Sequence, residues 1–276
     1  MIRNATRNDL PTLRALFARA NDAPYALETV AEEKCFGDGI AGAPVVRVFE
    51  RGGMIAGAAV SCGKWLRILA VDRGARRQGI GSALLADAHP EVIAAEPGNY
   101  FTPGVFDEGS RAFFRARGYR EGAWTWNLEV VLEGIEEWGM RHDSETSSLI
   151  SHPPSPIPHT PAPALDFIER EFGRIWRFEA ARAADNILIA EVDGEIAGFA
   201  VYEANNRGLG SFGPTGVAKA MRGRGIGRAL LLAALAELRR AGYERAIIPW
   251  TDAIDFYRKS CGAEPAHQFV ALVSGS

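Results

Sequence analysis

Two short stretches set glycine beside arginine at a spacing that could hold an anion. "ARRQGIGSALLADA" runs from Ala75 to Ala88, and "MRGRGIGRALLLAAL" from Met221 to Leu235. Glycines let a backbone turn so that several N–H groups point at one spot, and a helix starting there adds the positive end of its dipole. Arginine side chains beside the turn can add charge-assisted hydrogen bonds. The chemistry implied is a phosphate or pyrophosphate cradle. The first copy would build it from Arg76, Arg77, Gln78, Gly79, Ile80, Gly81 and Ser82, and the second from Arg222, Gly223, Arg224, Gly225, Ile226, Gly227 and Arg228. Two common glycine loops do not fit. A dinucleotide fingerprint needs a glycine three residues after its second one, but Leu84 follows Gly81, Arg228 follows Gly225 and Leu230 follows Gly227 at that distance. The GK[ST] of a nucleotide-triphosphate loop is absent. The plainer alternative is a pair of tight turns ahead of helices.

The elements that must position these loops are also repeated. "RGGMIAGAAV" (Arg51 to Val60) lines up with "VDGEIAGFAV" (Val192 to Val201), and "FFRARGY" (Phe113 to Tyr119) answers "FYRKSCGA" (Phe256 to Ala263). A repeat this long means two copies of a whole domain rather than a solenoid. In the first copy "DLPTLRALFARA" predicts a helix, and "VVRVFER" and "MIAGAAVSC" predict strands turning at Gly52-Gly53. "WLRILAV" then leads into the loop and a helix from about Gly81 that Pro90 stops near His89. A strand at "VIAA", a helix at "SRAFFRAR" ending at Gly118 and a strand "AWTWNLEVVL" follow. The second copy predicts one helical stretch "ALDFIEREFGRIWRF", strands "NILIAEV" and "EIAGFAVYEA" turning at Asp193-Gly194, and "GSFGPTGV" before the loop. Its loop helix places Leu231, Ala234, Leu235 and Leu238 on one face and ends at Gly242, and "RAIIPW" and "HQFVALV" finish the sheet. The boundaries expected are 1–134 for the first domain, 135–163 for a connecting segment and 164–276 for the second. "SHPPSPIPHTPAP", Ser151 to Pro163, is too rich in proline for helix or interior strand and reads as a linker or a loop packed over the second domain.

Composition limits the function classes. The chain has 276 residues, 47% hydrophobic and 24% charged, enough for two domains that each bury a core. With a net charge of -3 and a pI near 6.0, no global field draws it onto nucleic acid or an anionic membrane, so an anion must be held locally. Cys35, Cys62 and Cys261 are odd in number and widely spaced, which predicts free thiols, and no CxxC pair suggests zinc. No apolar run reaches the roughly 20 residues of a membrane span, and the expectation is a cytoplasmic protein. Trp65, Trp124 and Trp126 read as packing residues, and His267 as structural. His152 and His159 lack metal spacing, and "EGIEEW" from Glu133 reads as a solvated helix face.

The pattern Arg-x-x-Gly-x-Gly on a turn from a strand into a helix resembles the GCN5-related N-acetyltransferase (GNAT) family. It occurs at Arg76, Gly79 and Gly81 and again at Arg222, Gly225 and Gly227, with strands ending in Val71 or Val217 before it and the aromatic-x-x-x-Gly segment Phe114 to Gly118 after it. The resemblance covers roughly Met1 to Leu132 and Leu165 to Val273. It implies an α/β fold of two consecutive GNAT-like domains, each with a mixed, mostly antiparallel twisted sheet, flanking helices and a splayed central strand pair. Acetyl-CoA as cosubstrate would lay its pyrophosphate on the loop amides, with main-chain contacts from Val71 or Val217. The activity implied is direct transfer of an acetyl group to a primary amine of a small molecule or peptide, with neither nucleic acid nor membrane as partner. The first domain is expected to be degenerate and the second catalytic. Tyr257 is the general acid by this resemblance, matched by Phe114 in the first copy, and Glu203 and Asp252 stand in for the carboxylate base that the central strands lack. The alternative is a noncatalytic acyl-CoA-binding or scaffolding protein.

Overall fold

The computed structural model describes residues 1–135, 150–151 and 162–275. Residues 152–161 of the proline-rich stretch, with His152 and His159, lie outside them, as does the "EEW" of "EGIEEW". The chain forms two compact units, Met1–Thr125 with His267–Ser276 and Trp126–Ala266. These bounds differ from the expected 1–134 and 164–276. The strand Tyr119–Val131 has its residues from Trp126 on in the second unit, and the strand Glu264–Ser274 has its residues from His267 on in the first.

In the first unit β1 (Ile2–Asn4), β2 (Val45–Arg51), β3 (Met54–Cys62) and β4 (Trp65–Val71) form an antiparallel meander. Gly52 and Gly53 both have positive φ, 57° and 76°, the backbone that a two-residue hairpin with matching twist requires. β3 is buried along Ala58–Cys62 on both faces, as a strand covered on each side must be. β5 (Val92–Ile93) pairs parallel to β4 and antiparallel to the C-terminal residues Leu272 and Val273. α1 (Leu10–Ala20), α3 (Ile80–Ala88) and α4 (Glu108–Arg115) cover the sheet, with the short α2 (Ala31–Phe36) beside α1. α3 ends where the sequence predicts, at left-handed His89 before Pro90.

In the second unit β7 (Ile150–Ser151), β8 (Ile187–Val192), β9 (Glu195–Tyr202) and β10 (Phe212–Val217) are antiparallel neighbours in that order. Asp193 and Gly194 turn with φ of 53° and 80°. β11 (Arg245–Thr251) pairs antiparallel with Trp126–Val131, the end of β6 (Tyr119–Val131). The stretch expected as one helix is two, α5 (Ala162–Phe172) and α6 (Arg174–Ala181), because Gly173 takes φ 91° between them. α7 (Ile226–Arg240) buries Leu231, Ala234, Leu235 and Leu238. Gly242 closes it in a left-handed turn, its N–H donating to the Arg239 carbonyl at 3.0 Å and that of Tyr243 to the Leu238 carbonyl at 3.1 Å. α8 (Ile254–Cys261) precedes β12 (Glu264–Ser274). All three cysteines are free and buried.

Candidate functional site

Each glycine loop lies between a strand and the helix that follows it. In the first unit a 3-10 turn at Arg73–Ala75 is closed by the Gly74 N–H donating to the Asp72 carboxylate at 3.0 Å. Gly79 then starts α3 with φ 83°. The second unit repeats this with a 3-10 turn at Lys219–Met221 and Gly225 at φ 78°. A residue with a Cβ is strained at such φ, which is why glycine recurs there.

The motif arginines hold the loops together. Arg76 donates from Nε to the Val71 carbonyl at 3.2 Å and from Nη2 to the Ala20 carbonyl at 2.7 Å, and it pairs with Asp22 at 2.7 Å. Arg222 donates from Nε to the Val217 carbonyl, also at 3.2 Å. Both arginines thus fasten the loop back onto the end of the preceding strand. Arg77 is exposed with φ 64°, Gln78 accepts from Arg51, and Arg224 donates to the Met221 sulfur at 3.2 Å.

β4 and β5 meet only briefly. Their pairing covers Trp65 with Val92 and Leu66 with Ile93, and the Ala94 N–H donates to the Leu66 carbonyl at 2.8 Å. Ala94 and Ala95 then take φ of 60° and 54°, left-handed values that turn the chain away from β4. Past Leu66 lies a cleft of about 890 Å³. Ile68, Ala70 and Val71 line it from β4, Gly79 to Ser82 from the loop, Phe113 from α4 and Arg117 from the turn after it. In the second unit β10 and β11 meet as sparsely, by a parallel bridge of Ser211 with Ile247 and an N–H of Ile247 donating to the Gly210 carbonyl at 2.9 Å. Both units therefore carry the parted central strands that the resemblance implies.

A buried ionic cluster lies where β4 and β5 part. Arg67, among the cleft-lining residues, donates from Nε and Nη2 to Glu96 at 2.5 and 2.8 Å, and both side chains are 0% exposed. Its Nη1 donates to the carbonyls of Lys34 and Gly37 at 2.6 and 3.0 Å. Lys34, equally buried, donates to Asn99 at 2.9 Å and Glu33 at 2.8 Å. Sequence reasoning missed these residues, although a charge within "WLRILAV" and another ending "VIAAE" were a visible signal.

The three expected catalytic residues stand in different surroundings. Tyr257 packs in the core of the second unit, edge-on to Phe212 and Phe256, and burial pushes its hydroxyl up to about 12. Phe114 is buried likewise in the first unit. Glu203 spends its carboxylate on its own loop, accepting from the backbone N–H groups of Gly208 and Ser211, the latter at 2.8 Å, and from the Tyr243 hydroxyl at 2.9 Å. Asp252 is exposed after β11. Trp124 is exposed beneath the Arg111 guanidinium, Trp126 packs against the second unit's core, and His267 sits edge-on to Tyr25 and Phe106. Among the described residues no cluster of His, Cys, Asp and Glu could hold a metal, and no helix is long and apolar enough to cross a membrane.

Residues 150–263 match the model of the acetyltransferase (GNAT) family. No curated protein sequence matches it. A tandem GNAT protein from the clavulanic acid biosynthesis pathway superposes with a TM-score of 0.68 at 20% identity, covering 99% of this chain and 98% of that one. A GCN5-related N-acetyltransferase from Sphaerobacter thermophilus gives 0.63 at 18% identity, with 99% and 94% covered. A structure described as a GCN5-related glucosamine N-acetyltransferase region of a fungal multi-domain GH3 beta-N-acetylglucosaminidase gives 0.72 at 17% identity; 99% of this chain spans 38% of the fungal one. At these identities the likeness is one of fold.

Proposed function

We propose that the chain is a tandem acetyl-CoA-dependent N-acetyltransferase acting on a primary amine of a small molecule or peptide, and that the first unit seats acetyl-CoA. The observation that carries this reading is the cleft of about 890 Å³ beyond the last β4–β5 pairing, with the glycine loop along its wall. Its chemistry suits a long amphipathic thioester. Apolar walls from Ile68, Ala70 and Val71 would cover the pantetheine arm, while loop amides, Arg77 and Arg117 would face the phosphates. The acceptor nitrogen attacks the thioester carbonyl, a C–N bond forms and the C–S bond breaks. The amine proton leaves to water and the departing thiolate takes one up. Holding both reactants in line supplies much of the rate, which suits a site with few titratable groups.

The first unit, expected to be catalytically degenerate, is read here as the seat of acetyl-CoA because its cleft adjoins the glycine loop, and whether it also carries the chemistry is left to the assay below. Tyr257, protonated at neutral pH as any tyrosine is, is retained as the proton donor proposed for the second unit. The noncatalytic acyl-CoA-binding alternative draws support from Glu203, whose carboxylate is already bound by three donors. Release of free thiol from acetyl-CoA, assayed against a panel of amines, separates the two readings. Amine-dependent release that is lost in Gly81→Val supports transfer through the first unit. Binding of acetyl-CoA without release from any amine supports the alternative, and release indifferent to Gly81→Val removes the first unit from the reaction.

A further inference from the structure

Arg67 occupies an irregular place in the central strand of the first unit. The β3–β4 register passes from Val60 opposite Ile68 to Ser61 opposite Leu66, which leaves Arg67 as the extra residue of a bulge. Its side chain commits four of its five N–H groups to Glu96 and to the carbonyls of Lys34 and Gly37, so it is held in one position. The segment between α1 and β2, residues 21–44, covers the pair: a Cβ on Gly39 would run into the Glu96 carboxylate and stand 3.0 Å from Arg67 Nη2. Arg67 and Leu66 line the cleft at the end where β4 and β5 rejoin, together with Ile93, Ala94, Phe101 and Thr102. A thioester with its phosphates on the glycine loop would run along β4 from Val71. At about 3.3 Å per residue the strand from there back to Leu66 spans roughly 16 Å, within reach of an extended pantetheine arm. The acyl group therefore arrives beside Arg67.

The internal repeat supplies a contrast. In β10 the register passes from Ala200 opposite Thr215 to Tyr202 opposite Phe212, so the bulge falls at Gly213 and Pro214. Counting back four residues from Val71 and from Val217 gives Arg67 and Gly213. The parallel pairs Trp65 with Val92 and Ser211 with Ile247 match in the same way. Four residues beyond them stand Glu96 and Thr251, each preceded by a left-handed residue, Ala95 at φ 54° and Trp250 at φ 51°. A glycine and a threonine thus replace the ionic pair. A Cβ built on Gly213 meets nothing within 4 Å, and the connection from α5 to β8 is residues 173–186, ten fewer than residues 21–44.

We propose that the Arg67–Glu96 pair is a specificity device that closes the inner end of the first unit's cleft, limiting its thioester to acetyl, while Gly213 leaves the second unit open to a longer acyl chain. This rests on the acetyl-CoA reading above and assigns the two units different acyl groups.

Calorimetric titration with acetyl-CoA and butyryl-CoA, without an amine, tests the assignment. Gly225→Val silences the second loop and Gly79→Val the first, so that each unit is read in the full chain. With Gly225→Val the chain should bind acetyl-CoA at least about 10-fold more tightly than butyryl-CoA, because a filled pocket rejects added methylenes. With Gly79→Val butyryl-CoA should bind at least as tightly as acetyl-CoA, and better by up to about fourfold for each methylene buried. Adding Arg67→Ala and Glu96→Leu to the Gly225→Val chain removes both charges together and empties the place of the guanidinium. Butyryl-CoA affinity should then rise at least about 10-fold, a gain that a purely structural pair would not produce. The same acetyl preference in both units overturns the proposal, as does a double variant that binds acetyl-CoA and still rejects butyryl-CoA. If the double variant binds neither thioester, the comparison of the two units decides alone. Acetyl-CoA bound by the wild-type chain without the contrast in chain length overturns this inference alone. No acyl-CoA bound at all overturns it together with the acetyl-CoA reading.

Discussion

Replacing Glu96 with alanine removes the carboxylate that receives two N–H groups of Arg67 at 2.5 and 2.8 Å, both side chains being fully buried. Nε and Nη2 lose their partner and a full positive charge is left without a counter-ion. Breaking a buried pair in this way costs about 3–5 kcal/mol, a large share of the roughly 5–15 kcal/mol that stabilises a typical domain. Arg67 cannot escape to water cheaply, because Nη1 also holds the carbonyls of Lys34 and Gly37. The upper part of the range is therefore expected. Replacing both partners by apolar residues, Arg67→Met with Glu96→Leu, removes the charge itself and should restore stability to within about 1.5 kcal/mol of wild type. A chain of two units need not unfold in one step, so hydrogen exchange of peptides covering Met54–Val71 is the appropriate assay. Glu96→Ala costing under about 1 kcal/mol, or a double variant no more stable than the single one, would show that the pair does not hold β4 in place.

Three further outcomes are expected. Tyr257→Phe keeps the ring that packs on Phe212 and removes only the hydroxyl, so kcat should fall at least ~10²-fold with little change in Tm if Tyr257 donates a proton; an unchanged kcat would leave water as the donor. Gly79→Val or Gly225→Val forces a β-branched residue to φ of 83° or 78°, and acetyl-CoA affinity measured by calorimetry should drop in the affected unit; full retention in both would dissociate the loops from binding. The carboxyl of Asp9 is held at about 2, chiefly by its hydrogen bonds from Arg3. Its lowered pKa means that its contribution is complete above the ordinary 3.8 and is lost as pH falls toward 2; urea unfolding of Asp9→Asn across that window should show a flatter acid limb.

What was legible in the sequence was local. The glycines at 52, 53 and 194 mark tight turns, and those at 79, 225 and 242 mark helix ends, because each takes a left-handed backbone that few other residues adopt. The stripe of Leu231, Ala234, Leu235 and Leu238 fixed one face of α7. What was not legible depends on distant partners. Nothing near Leu272 announces that it pairs with Ile93, nor near Trp126 that it pairs with Thr251, so the expected domain bounds missed both assignments. Gly173 lay inside an amphipathic pattern that runs through it, and only its φ of 91° divides the helix. Glu203 looked available because the donors that bind it, Gly208, Ser211 and Tyr243, are brought to it by the folding of its loop.

The arginines of the two loops divide by what they touch. Arg76 and Arg222 differ in their surroundings, yet both donate from Nε to a valine carbonyl five residues back, at the same 3.2 Å. Such a bond fixes the angle at which the loop leaves its strand, and it is made whether or not an anion is near. The motif therefore reports the shape of the loop. Around these shared bonds the copies have diverged: Arg77 stands where the second copy has Gly223, and Ser82 where it has Arg228. A position constrained by backbone geometry must keep its residue type. That constraint explains why the six-residue motif is legible in both copies while the residues between and after its fixed positions differ.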